Sequence, residues 1–192
     1  MSAQAIPFLT PEQYLEIDRA AERRSEYLDG HIYAMAGGSR THSYLAVAIA
    51  AELRQALRNR GCEVGNSDLR VRVSERGPYF YPDAVVSGGD AETAGDDDIA
   101  LNPTLIVEVL SKSTEAFDRG DKFAWYRKIE SLREYVLISQ TSPRVETFVR
   151  SEQGGWTFTE FAGPEAICRF ASVDCSIPVA AIYQGIKLEQ AS

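Results

Sequence analysis

Apolar and polar residues recur along the chain with two periods, and each period predicts a type of element. Residues 66–74 alternate strictly, with Leu69, Val71 and Val73 on one side, and predict a half-buried strand. Residues 40–60 are rich in Ala and Leu and predict a long helix. In chain order the pattern predicts a helix over 10–21, a hairpin over 25–36, a helix over 40–60, strands over 66–74, 79–86 and 104–110, a helix over 115–129, strands over 134–139, 145–150, 156–161 and 167–170, and a short helix opened by Pro178.

Two short motifs define element ends in the first part of the chain. Thr10 precedes Pro11, with Gln13 two residues further on, which is the pattern of a capped helix start. Asp29-Gly30 has the composition of a two-residue hairpin turn. The middle of the chain then has the order α-β-β-β-α-β, which predicts the α/β class. We expect one domain over 1–192, with a core over about 37–140, an N-terminal helix and hairpin over 10–36, and a C-terminal β-rich extension over 141–192.

Charge and composition limit the classes of function. The chain has 192 residues, of which 44% are hydrophobic, enough for one globular core. The net charge of −8 argues against a protein that coats nucleic acid non-specifically, because phosphate binding depends on cationic surface. Five acids lie in one Gly- and Ala-rich stretch, residues 90–98, which predicts a solvated loop. A basic face elsewhere is compatible with the rest of the sequence.

Cysteine usage and the absence of long apolar stretches bear on location. Cys62, Cys168 and Cys175 are widely spaced and odd in number, so they predict neither a disulfide framework nor a zinc site. Met1–Pro7 lacks the basic segment and apolar core of a secretory signal. No stretch has the length of a membrane span. We expect a cytoplasmic protein.

Glu108 is the most unusual residue in the pattern. It is the only residue that is not apolar in the run Leu105–Leu110, which predicts a buried central strand. An ionised carboxylate there is costly unless a cation, a metal or a hydrogen-bond network compensates its charge. Glu108 is therefore a candidate site residue.

Asp83 is the first candidate partner of Glu108. It follows Pro82 in the preceding predicted strand, where proline is tolerated at an edge or bulge. Two carboxylates on neighbouring strands would form an oxygen-rich site that suits Mg²⁺ or Mn²⁺. The alternative is an ordinary Pro-Asp turn at a strand start.

Two further candidates come from the flanking elements. Lys122 shares a helix face with Trp125, Tyr126 and Ile129, so that face should point to the core. The alternative for Lys122 is a lysine whose stem covers apolar surface. Glu26 lies on the first strand of the predicted hairpin, and a solvated strand carboxylate is the alternative there.

The remaining polar residues give weaker signals. His42, near the start of the long helix, is typical of a surface or capping residue. Arg70 and Arg72 share a strand face, and Arg40 lies near the Gly-Gly-Ser loop; they could contact a phosphate backbone or simply be solvated. The glycine pair before the helix is a weak indication of phosphate binding.

Taken together, these residues resemble the PD-(D/E)XK nuclease superfamily, whose restriction-endonuclease-like core has the order αβββαβ. More narrowly, the chain resembles the Uma-type family of restriction endonucleases. The similarity covers most of residues 10–140. The matching segments are Glu26 with Leu28-Asp29-Gly30, Gly37 to His42, Tyr81-Pro82-Asp83, Leu105 to Ser111, Asp118 with Lys122 and Tyr126, and Glu134-Tyr135.

The resemblance implies a fold and a set of roles. The fold would be α/β, with a restriction-endonuclease-like core, a mixed central sheet and additional strands at both ends. Asp83, Glu108 and the carbonyl of Val109 would bind Mg²⁺ (or Mn²⁺). Lys122 would position the attacking water or stabilise developing charge, and Glu26 would bind a second metal or orient water. The partners would be DNA and, to cut both strands, a second copy in a homodimer.

One departure from the superfamily pattern keeps alternatives open. The superfamily lysine lies two residues after the acid, where this chain has Leu110. The role would pass to Lys122, with Lys112 in the following turn as competitor. A different class of function is a non-catalytic binding or assembly module in which Glu108 and Lys122 form a structural ion pair. A third is a metal-dependent phosphoesterase acting on a small or RNA substrate.

Overall fold

The computed structural model describes residues 8–35 and 37–188. The segment Met1–Pro7 and the last residue of the predicted hairpin, Ala36, lie outside these ranges. Five α-helices occur in the described residues: α1 (Pro11–Ala20), α2 (Arg40–Ala56), α3 (Glu115–Phe117), α4 (Phe123–Tyr126) and α5 (Val179–Tyr183). A π-helix spans Asp118–Lys122, and a 3₁₀ turn spans Ala171–Val173.

Fourteen strands accompany the helices in the same ranges. The first seven are β1 (Ser25–Leu28), β2 (His31–Ala34), β3 (Cys62–Asn66), β4 (Arg70–Arg72), β5 (Tyr79–Phe80), β6 (Ala84–Gly88) and β7 (Thr93–Ala94). The others are β8 (Ile99–Ala100), β9 (Leu105–Val109), β10 (Glu134–Ile138), β11 (Arg144–Arg150), β12 (Trp156–Ala162), β13 (Ile167–Phe170) and β14 (Cys175–Pro178).

Local sequence signals at the N-terminal elements are confirmed. Thr10 caps α1 by accepting a hydrogen bond from the main-chain N–H of Gln13, whose side chain in turn accepts one from the N–H of Thr10. The β1–β2 hairpin turns at Asp29 and Gly30, whose φ angles of 48° and 82° are positive. Two positive φ angles match the twist of the paired strands, which explains the Asp-Gly pair at this position.

The strands form two six-stranded sheets and one hairpin. The central sheet has the order β12-β11-β10-β9-β6-β3, and the second sheet has the order β2-β1-β5-β4-β8-β7. In the central sheet β9 and β10 are parallel, whereas β6 and β9 are antiparallel. The αβββαβ order expected from the sequence is present on this mixed sheet. It consists of α2, β3, β6, β9, the helical segment that follows β9, and β10.

Both faces of the central sheet are covered, which explains the apolar run at β9. On one face α2 contributes the fully buried Leu45, Ile49 and Leu53, which pack with alternate residues of β9 and β10. Each such side chain stabilises the fold by about 1.5–3 kcal/mol relative to exposure. On the other face the helical segment Glu115–Tyr126 packs against the opposite residues of the same strands, including Ile106 and Tyr135. Glu108 belongs to this second face by alternation.

The structure corrects several predicted boundaries. The first core strand is β3, not the strand predicted over 66–74, because residues 67–69 form a turn closed by a Leu69 N–H to Asn66 C=O hydrogen bond. The predicted strand over 79–86 is divided at Pro82 between the two sheets. The predicted helix over 40–60 ends at Ala56, and that over 115–129 ends at Tyr126.

Arg70 is not on a solvated face. Its guanidinium is buried and bonds the carboxylates of Asp18 and Asp98, so it is not available to contact a phosphate backbone. Asp98 also bonds Arg19 at 2.8 Å. The stretch predicted as a solvated loop is therefore anchored at its end and contains the short strand β7, and β8 follows it directly.

Across residues 8–35 and 37–188, no helix combines the length and apolar character needed to cross a membrane.

Candidate active site

The pairing of β6 with β9 places Asp83 beside Glu108. Ala84 pairs with Val107 at the last registered position, so one residue further Asp83 lies opposite Glu108. Residues directly opposite each other in an antiparallel pair have their side chains on the same face. The β6–β9 register therefore brings together the two carboxylates that were predicted from the sequence to share a site.

Lys122 lies at the centre of the acidic group. Its Nζ is 2.8 Å from Glu108 Oε1, 3.1 Å from Glu26 Oε1 and 3.8 Å from Asp118 Oδ1. The side chains of Lys122, Glu108 and Asp118 are 6%, 5% and 4% exposed, and Glu26 is 17% exposed. Lys122 is therefore a buried cation with three carboxylate neighbours, and its ammonium is not held in solvent as that of a lysine covering apolar surface would be.

A π-helical turn gives Lys122 this direction. The segment Asp118–Lys122 is wound with the wider π geometry between α3 and α4, and both end residues point into the protein. Such single π turns inside α-helices are frequent at functional sites. Directly after it, Tyr126 donates a hydrogen bond from its hydroxyl to Glu108 Oε1 at 2.9 Å. The helical segment thus supplies two of the groups that bind Glu108.

Asp83 has a separate set of partners. Its Oδ2 accepts a hydrogen bond of 2.7 Å from the main-chain N–H of Val109 and lies 3.3 Å from Nε2 of His42. Burial opposes protonation of His42, but the hydrogen bond and charge of Asp83 outweigh it and raise the pKa of the imidazole. His42 is therefore a component of the site, which corrects its interpretation as a surface or capping residue.

Excess negative charge dominates the electrostatics of the acidic group around Lys122. Burial, together with the charges of Asp118, Asp83 and Glu26, raises the pKa of Glu108 well above its ordinary value despite the opposing charge of Lys122. Burial also raises the pKa of Asp118. One lysine cannot neutralise several buried acids, so the group either holds protons or gains from a further cation.

These residues line a cleft of about 960 Å³ between the hairpin, the start of α2 and the helical segment. Its described lining includes five carboxylates and two lysines, a net charge of −3 with His42 neutral. The acids are Glu26, Asp83, Glu108, Asp118 and Asp121, and the lysines are Lys112 and Lys122. Lys112 is exposed in the turn after β9, whereas Lys122 is buried among the acids.

The donor set suits a hard divalent cation. Asp83 and Glu108 offer carboxylate oxygens from neighbouring strands, and Val109, whose carbonyl was the third predicted ligand, also lines the cleft. Within the described ranges no group of three or more His, Cys, Asp and Glu side chains is arranged to hold a metal ion. Mg²⁺ is commonly bound by one or two carboxylates together with waters and substrate phosphates. The residues present fit that mode of binding.

Some members of the site had no role assigned from the sequence. Asp118 and Tyr126 stood among the segments that match the family, but their contacts with Lys122 and Glu108 were not predicted, although the four-residue spacing of Asp118 and Lys122 could have signalled the first. Gln140 donates a 2.7 Å hydrogen bond to the carbonyl of Leu110, and its Oε1 accepts one from the cap residue Ser39. This bridge fixes the start of α2 against the end of β9, and no local pattern indicates it.

Comparisons with known proteins agree with this architecture. Residues 11–180 match the model of the Uma2 family, described as "Putative restriction endonuclease". The chain is 36% identical over 180 residues to the uncharacterized protein slr1290 of Synechocystis sp. (strain ATCC 27184 / PCC 6803 / Kazusa), covering 94% of each chain. It is 36% identical over 164 residues to sll1609 of the same organism, covering 85% of this chain and 93% of that one.

A solved structure shows the same fold. It is a chain from Anabaena variabilis ATCC 29413, described as a putative nuclease belonging to DUF820, and superposes with a TM-score of 0.73. The alignment covers 91% of this chain and 97% of that one at 15% identity, which supports the fold alone. The match of the family model over most of the length, together with the two relatives, shows that this chain belongs to the Uma2 family.

Proposed function

We propose that this protein is a Mg²⁺- or Mn²⁺-dependent endonuclease that hydrolyses phosphodiester bonds of DNA. The observation that carries the proposal is the convergence of Glu108, Glu26 and Asp118 around the buried Lys122, with Asp83 opposite Glu108 on the neighbouring strand and in the lining of the same cleft. Such an excess of buried acid favours a divalent cation. Membership of a family described as restriction endonucleases supports the same reaction class.

The side chains of the candidate active site divide into two sets with different roles. Asp83, Glu108 and the Val109 carbonyl would hold the cation, which when bound activates water and neutralises phosphate charge. Lys122 would donate hydrogen bonds to the attacking water or to the charge that develops on the phosphate. Glu26 is 3.1 Å from the Lys122 ammonium and would orient it or the water. The Val109 N–H fixes the carboxylate of Asp83 in its orientation.

Substitution of Asp83 tests this proposal. We expect the wild type to nick supercoiled plasmid or cleave single-stranded circular DNA with Mg²⁺ or Mn²⁺, and Asp83→Ala to lose at least about 100-fold of that rate, because metal ligands and charge-stabilising groups contribute on this scale. Asp68→Ala, which removes an exposed acid that pairs with Arg24, should retain wild-type activity. Equal activity of Asp83→Ala and Asp68→Ala would refute the site assignment.

The direct contact of Lys122 with Glu108 supports a second candidate function. At 2.8 Å the two form a direct ion pair, as expected of a non-catalytic binding or assembly module on this fold. Calorimetric titration separates the two functions. The nuclease proposal predicts heat on addition of Mn²⁺ that Glu108→Gln abolishes. The alternative predicts no such heat from either protein.

The proposal also includes an oligomeric state, a homodimer, and a location, the cytoplasm. A homodimer would supply two active sites for the two strands of a duplex, and β12, an outer strand of the central sheet with mostly exposed residues, could pair with its copy. Sedimentation at micromolar protein concentration measures the mass of the particle, and a monomer mass would contradict the homodimer. The cysteines Cys62, Cys168 and Cys175 are all free, which supports a reducing cytoplasm.

A further inference from the structure

An exposed aromatic side chain stands beside the acidic group. Tyr33 on β2 pairs directly with Glu26 on β1, and side chains of such antiparallel partners lie on the same face with Cβ atoms about 4.5–5.5 Å apart. The carboxylate of Glu26 reaches Lys122, so the same face of the hairpin is turned toward the active site. Tyr33 lines the cleft and is nevertheless 52% exposed. The ring therefore presents an accessible surface next to the position of the reacting phosphate.

A polar turn also lines the cleft. The turn after β9 carries Ser111, Lys112, Ser113 and Thr114, all of which line the cleft. The Ser111 hydroxyl lies 3.1 Å from that of Ser113 and 2.8 Å from that of Thr114. Hydroxyls and one lysine on an exposed turn suit contacts to a phosphate. The cleft thus combines a stacking surface on the hairpin, polar groups on the turn after β9, and the acids.

This arrangement suits unpaired nucleic acid better than a duplex. In a duplex the bases are stacked on one another, so Tyr33 would face the sugar-phosphate backbone. In a single strand a base can turn out and stack on an aromatic ring.

We propose that Tyr33 stacks against an unpaired nucleobase next to the scissile bond, and that the preferred substrate is single-stranded or locally unpaired nucleic acid. The inference rests on the proposed function for its choice of ligand. It assigns to the β1–β2 hairpin a role in substrate selection in addition to supplying Glu26.

Binding measured without catalysis tests this assignment. Fluorescence anisotropy would compare a short labelled single strand with a blunt duplex of the same sequence, using the Asp83→Asn chain in chelator so that no hydrolysis occurs. We expect the single strand to bind at least about fivefold more tightly, and Tyr33→Leu to lose at least about fivefold of that affinity, the lower end of the contribution of base–aromatic stacking. Tyr33→Phe should bind within about twofold of the parent.

Tyr44→Leu is the matched control, since Tyr44 on α2 is 51% exposed and stacks on Arg40 outside the cleft lining. Its affinity should stay within about twofold of the parent. Equal or tighter binding of the duplex, an unchanged affinity of Tyr33→Leu, or no binding of the single strand would each overturn the inference. If the wild type lacks hydrolysis but binds through Tyr33, the proposed reaction fails and this binding mode stands. If it cleaves DNA but binds independently of Tyr33, only this inference fails.

Discussion

Replacing Lys122 by Met is expected to lower the free energy of unfolding by about 3–5 kcal/mol, because it leaves buried acids without their cation. The ammonium contacts Glu108 and Glu26 and lies near Asp118, and no more than 6% of the lysine side chain is exposed. Met has a similar length, so the loss would come from charge and hydrogen bonding and not from a cavity. Urea denaturation monitored by circular dichroism measures it.

Two companion variants make the Lys122 prediction specific. Lys128→Met removes an exposed lysine that stacks on Trp125, six residues after Lys122, and should cost about 1 kcal/mol or less. Adding Glu108→Gln to Lys122→Met should recover part of the lost stability, since it removes one of the uncompensated charges. An equal cost for Lys122→Met and Lys128→Met would show that the acids do not depend on this cation.

A divalent cation should also partly replace the lysine charge. If Asp83 and Glu108 bind Mn²⁺, the melting temperature of Lys122→Met should rise more on addition of Mn²⁺ than that of the wild type, because ligand binding to the native state stabilises it. No added stabilisation in the variant would favour the structural ion pair over the metal site.

The part of the site that sequence could predict is the part built on regular strands. Glu108 is conspicuous because a strand buried on both faces is apolar at nearly every position and a buried acid interrupts that run, and Asp83 follows from the neighbouring strand. The inward direction of Lys122 followed from its spacing to Trp125 and Tyr126. The αβββαβ order was likewise predictable, since helical and strand periods alternate clearly in the middle of the chain.

The contacts that sequence could not predict are those between distant segments. The turn Asp118–Lys122 has a helical pattern, and nothing in it distinguishes a π turn from an α turn before it packs against β9 and β10. His42 reaches Asp83 only because α2 starts at the end of β9, a position held by the Ser39–Gln140 bridge. The alternation over 66–74 suggested a strand, but the Asn66–Leu69 turn interrupted it.

The contacts of Arg70 could not be predicted from the sequence either, and they belong to a second ionic network. It alternates with apolar residues as a solvated strand residue would, yet it is buried against Asp18 of α1. Asp18 Oδ2 accepts hydrogen bonds from Arg70 and from the Tyr81 hydroxyl, and Oδ1 accepts from the N–H and hydroxyl of Ser25. The N–H of Tyr81 in turn donates to Glu26 at 3.3 Å. The network therefore links α1 to the wall of the cleft.

Asp18→Ala is expected to destabilise the fold by about 3–5 kcal/mol at neutral pH, because it leaves Ser25 and Tyr81 without their acceptor and leaves the buried Arg70 with Asp98 as its remaining carboxylate. Asp68→Ala, at an exposed pair with Arg24, should cost about 1 kcal/mol or less. Urea titration gives both values, and similar costs would contradict a structural role for the Asp18 network.

The pH dependence of the Asp18 contribution has a definite sign. Burial alone would raise the pKa of Asp18, but hydrogen bonds from Tyr81, Ser25 and Arg70 outweigh burial and lower the pKa below its ordinary value of 3.8. A carboxyl whose pKa is lower in the folded state stabilises the fold at pH values above the unfolded-state pKa, and this contribution is lost as pH falls through the folded-state pKa. The stability difference between the wild type and Asp18→Asn should therefore be constant from pH 7 to about pH 5 and shrink below about pH 4. A difference that grows on acidification would mean that Asp18 is buried in its protonated form, and that Arg70 is neutralised by Asp98 alone.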